Sequence, residues 1–260
     1  MTFADINLLY SLSGLVVGMI VGFTGVGGGS LMTPVLVLLF GVHPATAVGT
    51  DLLYAAATKS VGAAIHNKAK SVDWRIVRRL AAGSVPATLA TFALMKGFDL
   101  HASKGGVLAV LLGVVLLATS VTLVFRSQIV AWFSGHLAHD SRHQAAQTVM
   151  TGAILGALVT TTSVGAGAIG VTALLIIYPR LPVLKIVGSD IAHAVPLTLI
   201  SGLGHWWLGD VDWAMLVSLL IGSIPGIALG STLAPRIPEK VLRMLLAVIL
   251  LLVSLKLIFS

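Results

Sequence analysis

The sequence predicts an all-α polytopic membrane protein: two inverted five-helix repeats, each with a short, glycine-broken half-helix. Three observations lead there. The 260 residues are 57% hydrophobic and 10% charged, whereas soluble domains carry about 25% charged residues. With a mean hydropathy of +1.03, too little polar surface remains to wet such a chain. Second, the chain repeats itself at an offset of 139 positions. Val48-Gly49-Thr50-Asp51 returns as Val187-Gly188-Ser189-Asp190, and His66 with Val72-Asp73-Trp74 returns as His205 with Val211-Asp212-Trp213. Gly83-Ser84-Val85-Pro86 likewise returns as Gly222-Ser223-Ile224-Pro225. Third, matching loops carry opposite charge bias. Lys68, Lys70, Arg75, Arg78 and Arg79 lie within 66–79, while 205–218 holds no Lys or Arg; Arg180 and Lys185 lie within 178–185, while 41–47 has none. Basic residues accumulate in cytoplasmic loops, so opposite bias is what two upside-down copies produce. Lys96 and Lys104 run against this pattern, in a loop that the arrangement puts outside.

Apolar run length places the elements in order. The first repeat, 1–125, has segments near 7–23, 30–41, 46–65, 75–95 and 104–125. A polar linker with His136, His139, Asp140, Arg142 and His143 is expected over 126–147. The second repeat, 148–260, has segments near 148–162, 168–178, 184–204, 213–234 and 239–259. Five crossings per copy supply the odd number that inversion needs. The second segment of each copy is too short to span: about 12 residues make roughly 18 Å of helix against a hydrocarbon core of about 30 Å. Each must continue as non-helical chain, which a membrane tolerates only inside protein or beside a wet cavity. Pro34, Pro44, Pro86, Pro182, Pro196 and Pro225 read as breaks and turns.

Other classes recede. With no cysteine, disulfides and thiolate sites are excluded. The net charge of +7 lies between apolar runs and suits cytoplasmic loops rather than nucleic acid. No Lys or Arg precedes the first apolar stretch, so no secretory leader is expected, and Asp5 fits an outer N-terminus. No metal cluster, cofactor or catalytic set is expected.

The short segments point to a binding site. Glycine lets backbone approach a ligand closely, and a helix N-terminus attracts anions through unpaired N–H groups and its partial positive charge. Thr24, Gly25, Gly27, Gly28, Gly29 and Ser30 in the first copy, with Thr162, Ser163, Gly165 and Gly167 in the second, are therefore the candidate cradle for a small anion. Close packing through small residues is the competing reading. Asp51 and Asp190 are the acidic residues within apolar spans. They either take up protons or a coupling cation, or scaffold the glycine break by accepting its orphan N–H groups; the second reading is the stronger. His193 lies one turn beyond Asp190, where the first copy has Tyr54. It either relays protons or rests neutral against Asp190. Lys59, two turns beyond Asp51, reads mainly as snorkelling toward the boundary near His66. His66, His205, Trp74, Trp213, Asp73 and Asp212 read as helix-end and interface residues.

At these residues the chain resembles the sulfite exporter TauE/SafE family of membrane permeases. The resemblance rests on the duplicated plan and on FTGVGGGSLMTPVLVLLFGVHPATAVGTD at 23–51, with SVGAGAIG at 163–170 and VGSD at 187–190. It implies movement of sulfite, organosulfonates or related sulfur-containing organic acids across a bacterial inner membrane. The second copy departs from the glycine-rich form, with Ala166 for Gly28 and Thr172 for Pro34. The expected function is thus secondary transport of small anions by alternating access, with proton coupling. The expected partners are the anion, membrane lipid and a second copy of the chain. An intramembrane enzyme and a non-transporting scaffold are the alternatives; for the former, His193 with Ser189 or Ser163 is the only base and nucleophile supply, without a Gly-x-Ser-x-Gly elbow.

Overall fold

The computed structural model describes residues 6–24, 29–97, 106–134, 141–233 and 239–259. They form α1 (Leu8–Thr24), α2 (Gly29–Phe40), α3 (Pro44–Lys68), α4 (Trp74–Gly97) and α5 (Gly106–Ser134) in the first half. The second half has α6 (Ser141–Thr162), α7 (Ala168–Ile177), α8 (Val183–Trp207), α9 (Trp213–Leu233) and α10 (Glu239–Phe259). The described residues contain no strand. Among the described residues, four helices are long and apolar enough to cross a bilayer, within 106–133, 143–162, 183–207 and 213–230. Large apolar side chains such as Leu9, Leu39, Leu89, Ile154, Ile224 and Leu252 stand exposed, while Asp51, Lys59, Asp190 and His193 are buried. That inside-out distribution suits lipid as solvent.

α2 has 12 residues and α7 has 10. Both are half-helices in length, since a rise of about 1.5 Å per residue gives them roughly half the hydrocarbon thickness.

The halves pack on each other reciprocally. α1 lies against α9 and α4 against α6; α3 lies against α8 and α5 against α10. The first two contacts are close, through small residues. A Cβ on Gly83 would overlap the Val149 carbonyl, and one on the matching Gly222 would overlap the Ser11 carbonyl. Gly152 sits against Leu80, and the matching Gly14 against Leu219. Such approach replaces the hydrophobic drive that lipid cannot give to helix association. α3 and α8 run antiparallel: Gly49 touches His205, Gly202 touches Leu53, Gly62 touches Ile191 and Gly188 touches His66. The apolar core also crosses the halves, with Leu36 and Leu116 clustered with Leu219 and Leu250.

Two details differ from the reading of apolar runs. Helix occupies both ends of the stretch expected to be linker: α5 continues past a kink at Phe125 (φ −100°, ψ 15°) to Ser134, and α6 starts at Ser141. Arg126, Ser127 and Gln128 interrupt the apolar run, but Ile129, Val130, Trp132 and Phe133 resume it. His136, His139 and Asp140 lie outside the described residues. Pro34, Pro86, Pro196 and Pro225 sit inside helices rather than at breaks. Membrane helices accommodate proline because neighbouring helices and side chains re-satisfy the freed backbone groups. Pro44 opens α3 and Pro182 precedes α8.

Candidate functional site

The centre of the protein is the antiparallel pair α3 and α8, each carrying the repeated Gly-Thr/Ser-Asp motif in its second turn. Thr50 and Ser189 reach across to the other half. The Asp73 N–H donates to Ser189 Oγ at 2.8 Å, and the Asp212 N–H donates to Thr50 Oγ1 at 3.1 Å. Asp73 and Asp212 then cap α4 and α9, accepting from the N–H groups of Arg75 and Met215 at 2.9 Å each. His66 meets Ser71 at 2.8 Å and His205 meets Asp210 at 3.2 Å. These helix-end residues thus have structural partners, as their sequence pattern suggested.

One residue further on, the two carboxylates turn toward the half-helices. Asp51 is fully buried and accepts from the Thr33 N–H at 3.1 Å and from the Thr33 hydroxyl. Its second oxygen has no hydrogen-bond partner, although Ser163 of the other half lies beside it. Asp190 packs against Gly170, where any Cβ would overlap its carboxylate, with the Gly167 backbone nearby. One Asp190 oxygen is also left without a partner. Asp51 is thus hydrogen-bonded to α2, Asp190 packs against the first turn of α7, and each carboxylate has one buried oxygen without a hydrogen-bond partner.

The chain entering α7 is strained in a way the sequence only hinted at. Ser163 has φ 60°, Gly165 φ 121° and Gly167, the residue before the helix, φ 111°. Left-handed backbone is uncommon for a residue with a Cβ, and at Ser163 it coincides with a buried hydroxyl that lacks a partner. Thr162 is otherwise engaged: its hydroxyl donates to the Leu158 carbonyl at 2.7 Å and accepts the Val164 N–H at 3.2 Å, closing α6. In the first half, Thr24 ends α1, and Gly29 and Ser30 open α2. Gly25, Gly27 and Gly28 lie outside the described residues, as do the side chains of Thr24 and Ser30.

His193 does not rest on Asp190. Its Nε2 lies 2.8 Å from Ser84 Oγ in the first half, and its Nδ1 is buried without a partner. The matching pair, Tyr54 and Ser223, face each other across the halves, each hydroxyl outside hydrogen-bond geometry. Lys59 is 6% exposed, too buried to be snorkelling, and lies within electrostatic reach of Asp190, Asp51 and His193. A buried hydroxyl cluster lies nearby: Thr160 contacts Thr88 at 3.1 Å and Ser201 at 2.9 Å, and its carbonyl lies 2.8 Å from His205 Nε2. Thr33, Ser84, Thr88 and Ser201 went unrecognised in the sequence. Only Ser84 carried a signal, through its place in the repeated Gly-Ser-x-Pro motif.

A lipid-facing apolar belt, a polar interior and two half-helices that begin at buried carboxylates define a polytopic membrane protein. The chain matches the sulfite exporter TauE/SafE family over residues 10–257 and belongs to that family. It is 38% identical over 255 residues to a probable membrane transporter protein, YjnA, of Bacillus subtilis, covering 95% of this chain and 98% of that one. It is 28% identical over 234 residues to a probable membrane transporter protein of Xylella fastidiosa, covering 86% of this chain and 83% of that one. A second Bacillus subtilis relative, the probable membrane transporter protein YdhB, is 25% identical, with 91% of this chain and 94% of that one covered. No solved structure matches significantly. The protein is an integral membrane transporter and not an enzyme.

Proposed function

We propose that the chain is a secondary transporter of small anions, with sulfite, organosulfonates or related sulfur-containing organic acids as the substrate class. The two halves lie inverted in a bacterial inner membrane, and the starts of α2 and α7 approach the midplane from opposite sides. What carries this reading is the pairing of Asp51 with the start of α2 and of Asp190 with the start of α7, with buried Lys59 acting on both.

The chemistry follows from that arrangement. Half-helix N-termini offer N–H donors and positive dipole ends at membrane depth, and buried Lys59 brings its amine, a further donor, within electrostatic reach of both carboxylates. Anionic Asp51 and Asp190 oppose a bound anion. Protonating either removes that repulsion, so anion and proton occupy the site together. Ser163, with its free buried hydroxyl, supplies a further donor, and Thr24, Gly25, Gly27, Gly28, Gly29 and Ser30 complete the cradle with Gly165 and Gly167. Thr162 contributes by fixing the backbone bend. Alternating access is the rocking of one half on the other about α3 and α8, exposing the site to each side in turn.

The test is sulfite or sulfonate flux in proteoliposomes of the purified protein. Lys59→Gln is expected to lower flux on the order of tenfold or more, the scale of one lost charge-assisted contact, while the protein stays folded. Undiminished flux in that variant, or no flux of any small anion by the wild type, overturns the reading.

A further inference from the structure

A cavity of about 370 Å³ opens at one end of the helices, away from the central carboxylates. It is lined from both halves: Asp73, Arg75 and Arg79 at the start of α4, Gln144 on α6, and Tyr178 and Arg180 in the turn between α7 and α8. Arg75 and Arg79 stand one turn apart and so share a face of α4. Arg180 enters from the other half. Among the described residues, none of the three arginines makes an ion pair with a carboxylate. The one acid in the lining is already committed, Asp73 accepting the Arg75 N–H at 2.9 Å as the cap of α4.

We propose that this cavity is a binding site for a tetrahedral oxyanion, of the sulfate or phosphate type, separate from the central site. Guanidinium forks match such anions with paired hydrogen bonds, and a recess lined by excess positive charge concentrates anions from solution. The wall is firm where the anion needs it. Tyr178 is 8% exposed, and its hydroxyl lies 3.0 Å from Arg79 and 2.8 Å from Thr148. Gln144 donates to the Ile177 carbonyl at 3.1 Å, closing the end of α7. The fold itself does not require these cations. The pseudo-symmetric positions at the opposite end hold Ala214 for Arg75, Ser218 for Arg79 and Val42 for Arg180. A topological bias toward basic loops accounts for which side carries Arg. It does not account for arginines from both halves converging on one cavity.

The anion has two sources, a free oxyanion in the aqueous phase or the phosphate of a lipid headgroup, and both are tested on the full chain. Wild-type protein in phosphatidylcholine nanodiscs is treated with phenylglyoxal, and modification of Arg75 and Arg180 is read by mass spectrometry. Sodium sulfate at fixed ionic strength should protect both arginines saturably where sodium chloride does not; that assigns a free anion. Protection already present in phosphatidylglycerol nanodiscs without sulfate assigns a lipid phosphate. The double variant Arg75→Gln/Arg180→Gln should lose the sulfate-dependent rise in thermal midpoint, with affinity falling on the order of tenfold or more for each guanidinium removed. No protection in any lipid, protection equal in chloride, or stabilisation by sulfate that survives in the double variant overturns the proposal. The protection arm uses no variant, so a folding defect cannot mask the result, and neither arm depends on flux.

Discussion

The Asp73 N–H and Ser189 Oγ lie 2.8 Å apart, joining the cap of α4 to the start of α8, and their counterparts Asp212 and Thr50 repeat the bond at 3.1 Å. At this pair, what the first half does to the second, the second does to the first, the reciprocal pattern of an isologous contact within one chain, and α3 and α8 run antiparallel through it.

These two bonds should be separable from function. Replacing Ser189 with Ala removes the acceptor of a partly buried N–H, and a cost of about 0.6–2 kcal/mol is expected from hydrogen bonds measured in membrane proteins. Ser189→Thr, which keeps the hydroxyl, should restore most of the thermal midpoint. Equal midpoints for the Ala and Thr variants would show that the bond contributes nothing.

Gly83 and Gly222 test the reciprocal packing more severely. A leucine at either must push apart two helices whose backbones touch, costing roughly 3 kcal/mol or more. Gly97→Ala is the control, because nothing lies within 4 Å of a Cβ there. Size-exclusion profiles in detergent should show the leucine variants aggregated and the control monodisperse relative to wild type.

How much of this was legible follows from what each signal depends on. Helix order and the two half-helices depend on local apolar run length and glycine placement, and both were readable, the bounds of the half-helices to within a residue, α7 at 168–177 against an expected 168–178. The partner of His193 was not readable. Asp190 is near it in sequence, but Ser84 is 109 residues away and lies on a helix that approaches only because the two halves interlock. Lys59 misled for the same reason. Its distance from His66 along α3 allows snorkelling, yet α8 crosses α3 at that level and buries it. The repeat told which residues correspond, and only the packing told which ones meet.

His193 yields a functional test. Under the proton-coupled reading, its unpartnered Nδ1 and the free oxygen of Asp190 are the groups that exchange protons. Flux in proteoliposomes should vary with pH in the wild type, and His193→Gln or Asp190→Asn should flatten that profile. A pH profile identical to wild type in both variants removes the second half from any proton role.

Thr33 separates the scaffold and coupling roles of Asp51. Its backbone N–H and its hydroxyl both donate to one carboxylate oxygen, leaving the other oxygen unpaired. Thr33→Val deletes the hydroxyl and nearly conserves shape, costing about 1.5–3 kcal/mol if Asp51 is charged. Thr33→Ser keeps the donor and should behave as wild type. If Asp51 only fixes the start of α2, Thr33→Val lowers the thermal midpoint while flux per folded molecule holds at the working temperature. If Asp51 also carries the coupled proton, Thr33→Val displaces the pH profile of flux as well. Measuring midpoint and pH profile on the same preparation decides between the two. The expected result is that both move, because the carboxylate that anchors the half-helix also has its free oxygen beside Ser163.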